Sequence, residues 1–96
     1  MKTNQNIDFP LDADWTTTEI VTVSKLYDLV LAANETTVDR DQLLTAYAAF
    51  KKVVSSKGEE RQLDRQLQQQ ADVSIYKTLK QAQASTKKRF SMATGR

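Results

Sequence analysis

Apolar side chains return every three or four residues along most of this chain, which is the spacing of one face of an α-helix. In the first such stretch this face carries Ile20, Val23, Tyr27, Val30 and Leu31. Thr16 and Glu19 precede it as a capping box, in which a hydroxyl and a carboxylate three residues later each accept from the other's backbone amide. Asn34 is a residue type that tolerates the left-handed conformation that often ends a helix. The pattern therefore predicts a first helix from about Thr17 to Ala33, with Asn34 as its stop.

The same spacing predicts three further helices. The second follows Asp39, an N-cap with Gln42 three residues later, and ends near Val54. The third opens at Ser56 and has only a narrow apolar stripe, so we expect it to lie on the surface. The fourth opens at Ser74. We expect the apolar faces to form one core, made of Ile20, Val23, Tyr27, Val30, Leu43, Leu44, Tyr47, Phe50, Leu63, Leu67, Ile75 and Leu79.

Tyr76 also falls on an apolar face in this interpretation, as Tyr27 and Tyr47 do. For such tyrosines we expect core packing with the hydroxyl reaching solvent, not a cofactor site.

Both ends of the chain lack the helical spacing. Pro10 fixes its own backbone and disfavours helix at Phe9, so residues 9–15 are predicted to be an extended lead-in. After Ser85 no apolar period remains, and residues 86–96 are predicted to be a disordered basic tail. The sequence therefore predicts an all-α fold. It is a compact array of four short helices in a single domain over residues 1–85, followed by the tail.

Composition narrows the functional classes. The chain has 96 residues, enough for one domain, and it contains no cysteine and no histidine. The common general base, the thiol nucleophile and most zinc sites are therefore missing. Two isolated glycines cannot form a phosphate-binding loop. Because these reactive groups are missing, we expect that the protein is not an enzyme. No apolar stretch resembles a signal peptide or a membrane span, so we expect a cytosolic protein that does not associate with membranes.

Five short motifs follow one another along the chain: Pro10-Leu11-Asp12, Trp15-Thr16, Leu43-Leu44 with Tyr47 and Phe50-Lys51, Ser56-Lys57-Gly58-Glu59-Glu60, and Ser74-Ile75-Tyr76. Their order resembles the YktA-like family of small uncharacterised bacterial proteins, over roughly residues 9–83. The resemblance implies a small helical fold in the bacterial cytosol and no activity. Two turns depart from the family pattern. Ala71-Asp72 stands where the family has Ser-Gly, and Ala33-Asn34-Glu35-Thr36 stands where it tends to end the first helix with glycine.

Carboxylates offer one alternative to this non-catalytic interpretation. Glu60 and Asp64 stand four residues apart on one helical face and could together hold a hard cation. Glu59 and Glu60, however, begin a helix, where acidic side chains stabilise the positive end of the helix dipole. We favour that structural role and expect no catalytic residue, metal site or cofactor.

Charge is distributed unevenly. Residues 1–50 hold three basic and eight acidic side chains, a net charge of −5, and residues 51–96 hold eleven basic and four acidic ones, a net charge of +7. Such a difference suggests a basic face for a polyanion or head-to-tail self-association, although the two halves could instead neutralise each other in the fold. The candidate interaction surface comprises Trp15, Lys51, Lys52, Lys57, Arg61, Arg65, Lys77 and Lys80.

The function predicted from these patterns is a non-catalytic protein-interaction or adaptor domain, which binds an unknown protein or a second copy. The alternative is weak nucleic-acid binding through the basic half, tolerant of sequence because no base-reading motif accompanies the charges. Trp15 has two interpretations as well. It either packs on the first helix near Ile20, which we favour, or stays exposed as an anchor for a partner.

Overall fold

The computed structural model describes residues 11–92 of the chain. In chain order they form helix α1 (Thr17–Glu35), strand β1 (Val38–Asp39), helices α2 (Arg40–Val53), α3 (Lys57–Ala71) and α4 (Ile75–Ala84), and strand β2 (Arg89–Phe90). The predicted compact array of four helices is confirmed, with a small antiparallel pair of strands in addition. No helix within this part of the chain is long and apolar enough to cross a membrane.

The four helices begin where short-range sequence signals place them. Thr16, Asp39, Ser56 and Ser74 are the N-caps, and each side chain accepts a hydrogen bond from the backbone amide three residues later. At α1 the capping box is reciprocal, because Glu19 Oε1 also accepts from the Thr16 amide at 2.9 Å. These contacts satisfy amides that would otherwise have no partner inside the helix.

The prediction that Asn34 ends the first helix is wrong. Helix α1 continues to Glu35, and the side-chain amide of Asn34 donates to the Val30 carbonyl at 2.7 Å and to Thr78 Oγ1 at 3.0 Å. Asn34 therefore links α1 to α4. Its partner Thr78 lies far along the chain, so local propensity does not reveal this contact. Within residues 11–92 the left-handed conformation occurs outside glycine only at Asp72, which caps α3 with a φ of 59°.

The lead-in differs from the extended segment that was predicted. Phe9 and Pro10 lie outside the described residues, but residues 12–15 turn back on themselves. The Asp12 carboxylate accepts from the Asp14 amide at 2.8 Å, and the Asp12 carbonyl accepts from the Trp15 amide at 3.1 Å. Aspartate stabilises such turns through its own side chain. The turn leaves Trp15 half-buried against the core.

The core draws on all four helices and both strands. Most of the predicted members are buried, but Leu44 and Tyr47 are half-buried at its edge and Ile20 is also only half-buried. Among residues 11–92, the buried apolar residues are Val23, Leu26, Tyr27, Val30, Ala33, Val38, Leu43, Ala46, Phe50, Val54, Leu63, Leu67, Val73, Ile75, Leu79, Ala82 and Phe90. Leu63 and Leu67 come from the narrow apolar stripe that was predicted for α3.

The tail departs from the prediction of disorder over residues 88–92, which we call the C-terminal clasp. Phe90 pairs with Val38 across the two strands and is only 6% exposed. The backbone adds two bonds at 2.8 Å, from the Arg40 amide to the Lys88 carbonyl and from the Met92 amide to the Ala33 carbonyl. A single buried ring and a few backbone bonds need no apolar period, so the sequence pattern could not show this docking. Residues 93–96 of the predicted tail lie outside the described part.

Candidate interaction groove

An open groove of about 820 Å³ lies where the end of α2, one face of α3 and the start of α4 meet. We call it the basic groove, because five of its eleven lining residues are cationic. The cations are Lys51, Lys57, Arg61, Arg65 and Lys77, and the other lining residues are Tyr47, Glu60, Asp64, Gln68, Ser74 and Tyr76.

Helix α3 places three of the cations in one row. Lys57, Arg61 and Arg65 recur every four residues and are exposed, while Leu63 and Leu67 of the same helix are buried in the core. Because the apolar stripe fixes how α3 is rotated on the core, it also turns this row toward the groove. Within the described residues, none of the three forms an ion pair. Their charge is therefore available to an anionic ligand.

Glu60 lies in the wall of the groove and is held by α2. Its side chain is 14% exposed, and its carboxylate accepts from the Tyr47 hydroxyl at 2.7 Å and from Lys51 Nζ at 3.4 Å. Burial of Tyr47 raises the pKa of its hydroxyl well above the usual value, and the hydrogen bond to Glu60 and the charges of Glu60 and Asp64 raise it further. Tyr47 thus stays protonated at neutral pH and acts as a donor.

Asp64 joins α3 to the first turn of α4. It is 8% exposed, and its carboxylate accepts from Ser74 Oγ at 3.1 Å, from the Ile75 amide at 2.7 Å and from the Tyr76 amide at 3.4 Å. An anion at the amino end of a helix is favoured by the dipole and by the free amides. The carboxylate of Asp64 therefore fills the position at the amino end of α4 that an anion would favour. Burial raises the pKa of Tyr27, and the negative charge of Asp64 raises it further.

This geometry weakens the case for a cation between Glu60 and Asp64. Both carboxylates already accept hydrogen bonds from the chain's own donors, and Glu60 is also paired with Lys51. Across residues 11–92, no three acidic side chains converge as metal ligands would.

Tyr76 is the largest difference between the predicted and the observed site. The expectation that it packs in the core is wrong, since Tyr76 is 62% exposed while its neighbour Ile75 is fully buried. The two side chains point about 100° apart around α4, and here Ile75 takes the direction that faces the core while Tyr76 points outward. Tyr76 instead lines the basic groove. Lys80, which does not line it, places Nζ 5.7 Å from the centre of the tyrosine ring.

The structure brings together five of the eight residues that the sequence proposes as an interaction surface. Lys51, Lys57, Arg61, Arg65 and Lys77 meet in the groove. Lys80 stands beside it through its contact with Tyr76. Lys52 is exposed outside the groove, and Trp15 packs half-buried against the core.

Six lining residues were not part of the interaction surface proposed from the sequence, namely Tyr47, Glu60, Asp64, Gln68, Ser74 and Tyr76. Gln68 carries a findable signal, because it lies three and seven residues beyond Arg65 and Arg61 on the same helix. The two tyrosines carry none that separates them from core residues.

A second, smaller groove of about 480 Å³ lies between α1 and α2. Its charged lining is one cation and one acid, Lys25 and Asp41, and it includes Val21, which is 61% exposed. Without an excess of one charge, it offers no comparable attraction to an ionic partner.

Comparison with known proteins gives a consistent family assignment. The family model described as "Uncharacterised protein family (UPF0223)" matches residues 6–91. A UPF0223 protein of Lactiplantibacillus plantarum is 44% identical over 89 residues, which cover 93% of this chain and 92% of the relative. A UPF0223 protein of Streptococcus thermophilus is 46% identical, and the match covers 88% of this chain and 91% of the relative. A UPF0223 protein of Enterococcus faecalis is 47% identical, and the match covers 77% of this chain and 80% of the relative.

Proposed function

Because this chain belongs to the uncharacterised bacterial protein family UPF0223, whose name assigns no activity, we propose its function from its own geometry. It is a non-catalytic interaction domain of the cytoplasm that binds an acidic segment of a partner protein in the basic groove. The narrower YktA-like designation remains a prediction.

The observation that carries the proposal is the excess of available positive charge in the groove. Lys51 is offset by Glu60 at 3.4 Å, whereas Lys57, Arg61, Arg65 and Lys77 have no ion pair within the described residues. The one remaining acid, Asp64, is buried and hydrogen-bonded to α4. Anionic groups that enter the groove therefore meet four unpaired cations, and such complementarity favours both encounter and specificity.

A protein partner fits the groove better than a nucleic acid does. Single-stranded nucleic acids are usually bound on several aromatic rings, on which successive bases stack. Within residues 11–92, Tyr76 is the one exposed aromatic side chain, since Trp15 and Tyr47 are half-buried and the other rings are buried.

A non-catalytic role is supported by how the reactive groups are used. Glu60, Asp64 and Tyr47 are the candidates for proton transfer in the groove, and all three take part in hydrogen bonds that hold α2, α3 and α4 together. The raised pKa of Tyr47 makes its hydroxyl a poor base at neutral pH.

Fluorescence anisotropy with labelled probes tests the proposal. The probes are an acidic peptide rich in glutamate, the same peptide with every glutamate replaced by glutamine, and an oligothymidylate of equal length. The groove variant carries Arg61→Glu and Arg65→Glu. The control variant carries Lys52→Glu and Lys87→Glu, which change the net charge equally at exposed positions outside the groove.

We expect the acidic peptide to bind, and the glutamine peptide to bind at least about ten times more weakly, because the charge complementarity is lost. The groove variant should lose about the same factor, and the control variant should stay within about twofold. Equal losses of affinity in the two variants would show that the peptide is attracted by the net charge of the protein and not by the basic groove. Tighter binding of the oligothymidylate than of the peptide would replace the proposal with nucleic-acid binding.

A further inference from the structure

We infer that the acidic segment carries an aromatic side chain between its acids, and that this ring packs on Tyr76. The inference rests on the proposed function and deepens it, because it names a second chemical feature of the partner and the residue that selects it.

The exposure of Tyr76 is the first observation. Within residues 11–92, three large apolar side chains are exposed: Leu11, Val21 and Tyr76. Only Tyr76 lies in the basic groove, where it stands beside Lys77 and shares the wall with Arg65. Tyrosine and arginine are both enriched at the interface positions that contribute most of the binding energy. A tyrosine ring offers a large contact area at a small cost in conformational entropy.

The fixed position of Tyr76 is the second observation. Its backbone amide and that of Ile75 bond to the buried carboxylate of Asp64, and the Ile75 side chain is fully buried below. Lys80 contacts the ring from outside the groove. These contacts anchor the first turn of α4 to α3. The backbone that carries the Tyr76 ring is therefore already fixed, and the ring loses little conformational freedom when a partner binds.

The arrangement of charges around the ring is the third observation. Lys77 follows Tyr76 directly, and the row of Lys57, Arg61 and Arg65 lies along the groove. A segment with acids on both sides of one aromatic residue would place its carboxylates on these cations and its ring on Tyr76. The contact between the rings would be surrounded by ion pairs, as binding hot spots are surrounded by contacts that exclude water.

The test uses two heptapeptides. In one, a phenylalanine stands between two runs of three glutamates; in the other, glycine replaces the phenylalanine. Their affinities are measured by anisotropy for the wild-type protein and for Tyr76→Ala, Tyr76→Phe and Val21→Ala. Val21→Ala is the control, since it truncates an equally exposed apolar side chain in the other groove. Circular dichroism checks that each variant is folded.

For the wild type we expect the phenylalanine peptide to bind about five to ten times more tightly than the glycine peptide, as an aromatic pair contributes. Tyr76→Ala should reduce this preference to below about twofold, while Tyr76→Phe and Val21→Ala keep it. A preference that survives in Tyr76→Ala, or that is absent in the wild type although both peptides bind, overturns the inference and leaves the proposed function standing. If neither acidic peptide binds, the proposed function fails, and the inference fails with it.

Discussion

Replacing Phe90 with alanine tests whether the C-terminal clasp is part of the folded core. Phe90 is 6% exposed, pairs with Val38 and contributes its ring to the same cluster as Tyr27 and Phe50. The substitution removes the ring and leaves the backbone able to form its strand bonds. The variant therefore isolates the contribution of side-chain burial.

The expected cost follows from burial. Truncation of a buried phenylalanine costs about 3–5 kcal/mol, and we expect the lower part of this range because a clasp of five residues can relax around the gap. The size of the chain implies a total stability of about 5–14 kcal/mol. A loss of about 3 kcal/mol would lower the melting temperature by about 12–24 °C in a domain of this size.

The assay is urea unfolding followed by circular dichroism, with Tyr76→Ala as the matched control. Both variants lose an aromatic ring, but Tyr76 is 62% exposed and Phe90 is 6% exposed. We expect the control to stay within about 1 kcal/mol of the wild type. Equal costs for the two variants, or a neutral Phe90→Ala, would refute the docking of the clasp.

Four further predictions concern other parts of the fold. Asp64→Asn should cost about 1–3 kcal/mol in urea unfolding, because one of its two acceptor oxygens becomes a donor that faces other donors; a neutral result would mean that Asp64 does not hold the start of α4. The wild type should lose stability as the pH rises above about 10, because tyrosine then ionises in the unfolded chain while Tyr47 stays protonated in the fold. Tyr47→Phe should make this loss of stability with pH less steep in pH-dependent melts, and an unchanged slope would contradict the raised pKa of Tyr47. Leu43→Ala should cost about 2–5 kcal/mol and Leu44→Ala clearly less, since only the first of these adjacent leucines is fully buried; equal costs would show that α2 is rotated. Trp15 should be partly quenched by iodide, and Trp15→Ala should cost about 2 kcal/mol, roughly half the value for a buried ring; complete quenching with no loss of stability would show that Trp15 is free of the core.

The helices could be predicted because their signals are local. The hydroxyl of Ser56 and the carboxylate of Asp39 each bond an amide three residues away, so the sequence contains both partners side by side. The apolar spacing then fixes which face of each helix is buried. For α3 the four-residue spacing of Lys57, Arg61 and Arg65 is likewise enough to predict that they share one face.

The parts that escaped prediction depend on partners far along the chain. The side chain of Asn34 reaches Thr78, and Phe90 docks beside Val38, so neither position carries a local signal of its role. From the sequence, Asp64 is interpreted only as a possible cation ligand beside Glu60, because its actual hydrogen-bond partners belong to the next helix. Tyr76 was misplaced for another reason: Ile75 and Tyr76 are both apolar, and the pattern does not say which of two neighbours faces inward.

The pairing of β1 with β2 also predicts the order in which the fold is assembled. Arg89 Nη2 bonds to Thr37 Oγ1 at 2.7 Å across a separation of 52 residues, whereas the capping bonds span only three. Closing so long a loop is costly in entropy until α2, α3 and α4 have shortened the path between its ends. The clasp is therefore expected to close last and to open first. Phe90 then acts on the lifetime of the native state, since a contact formed after the folding barrier slows unfolding and leaves the folding rate almost unchanged.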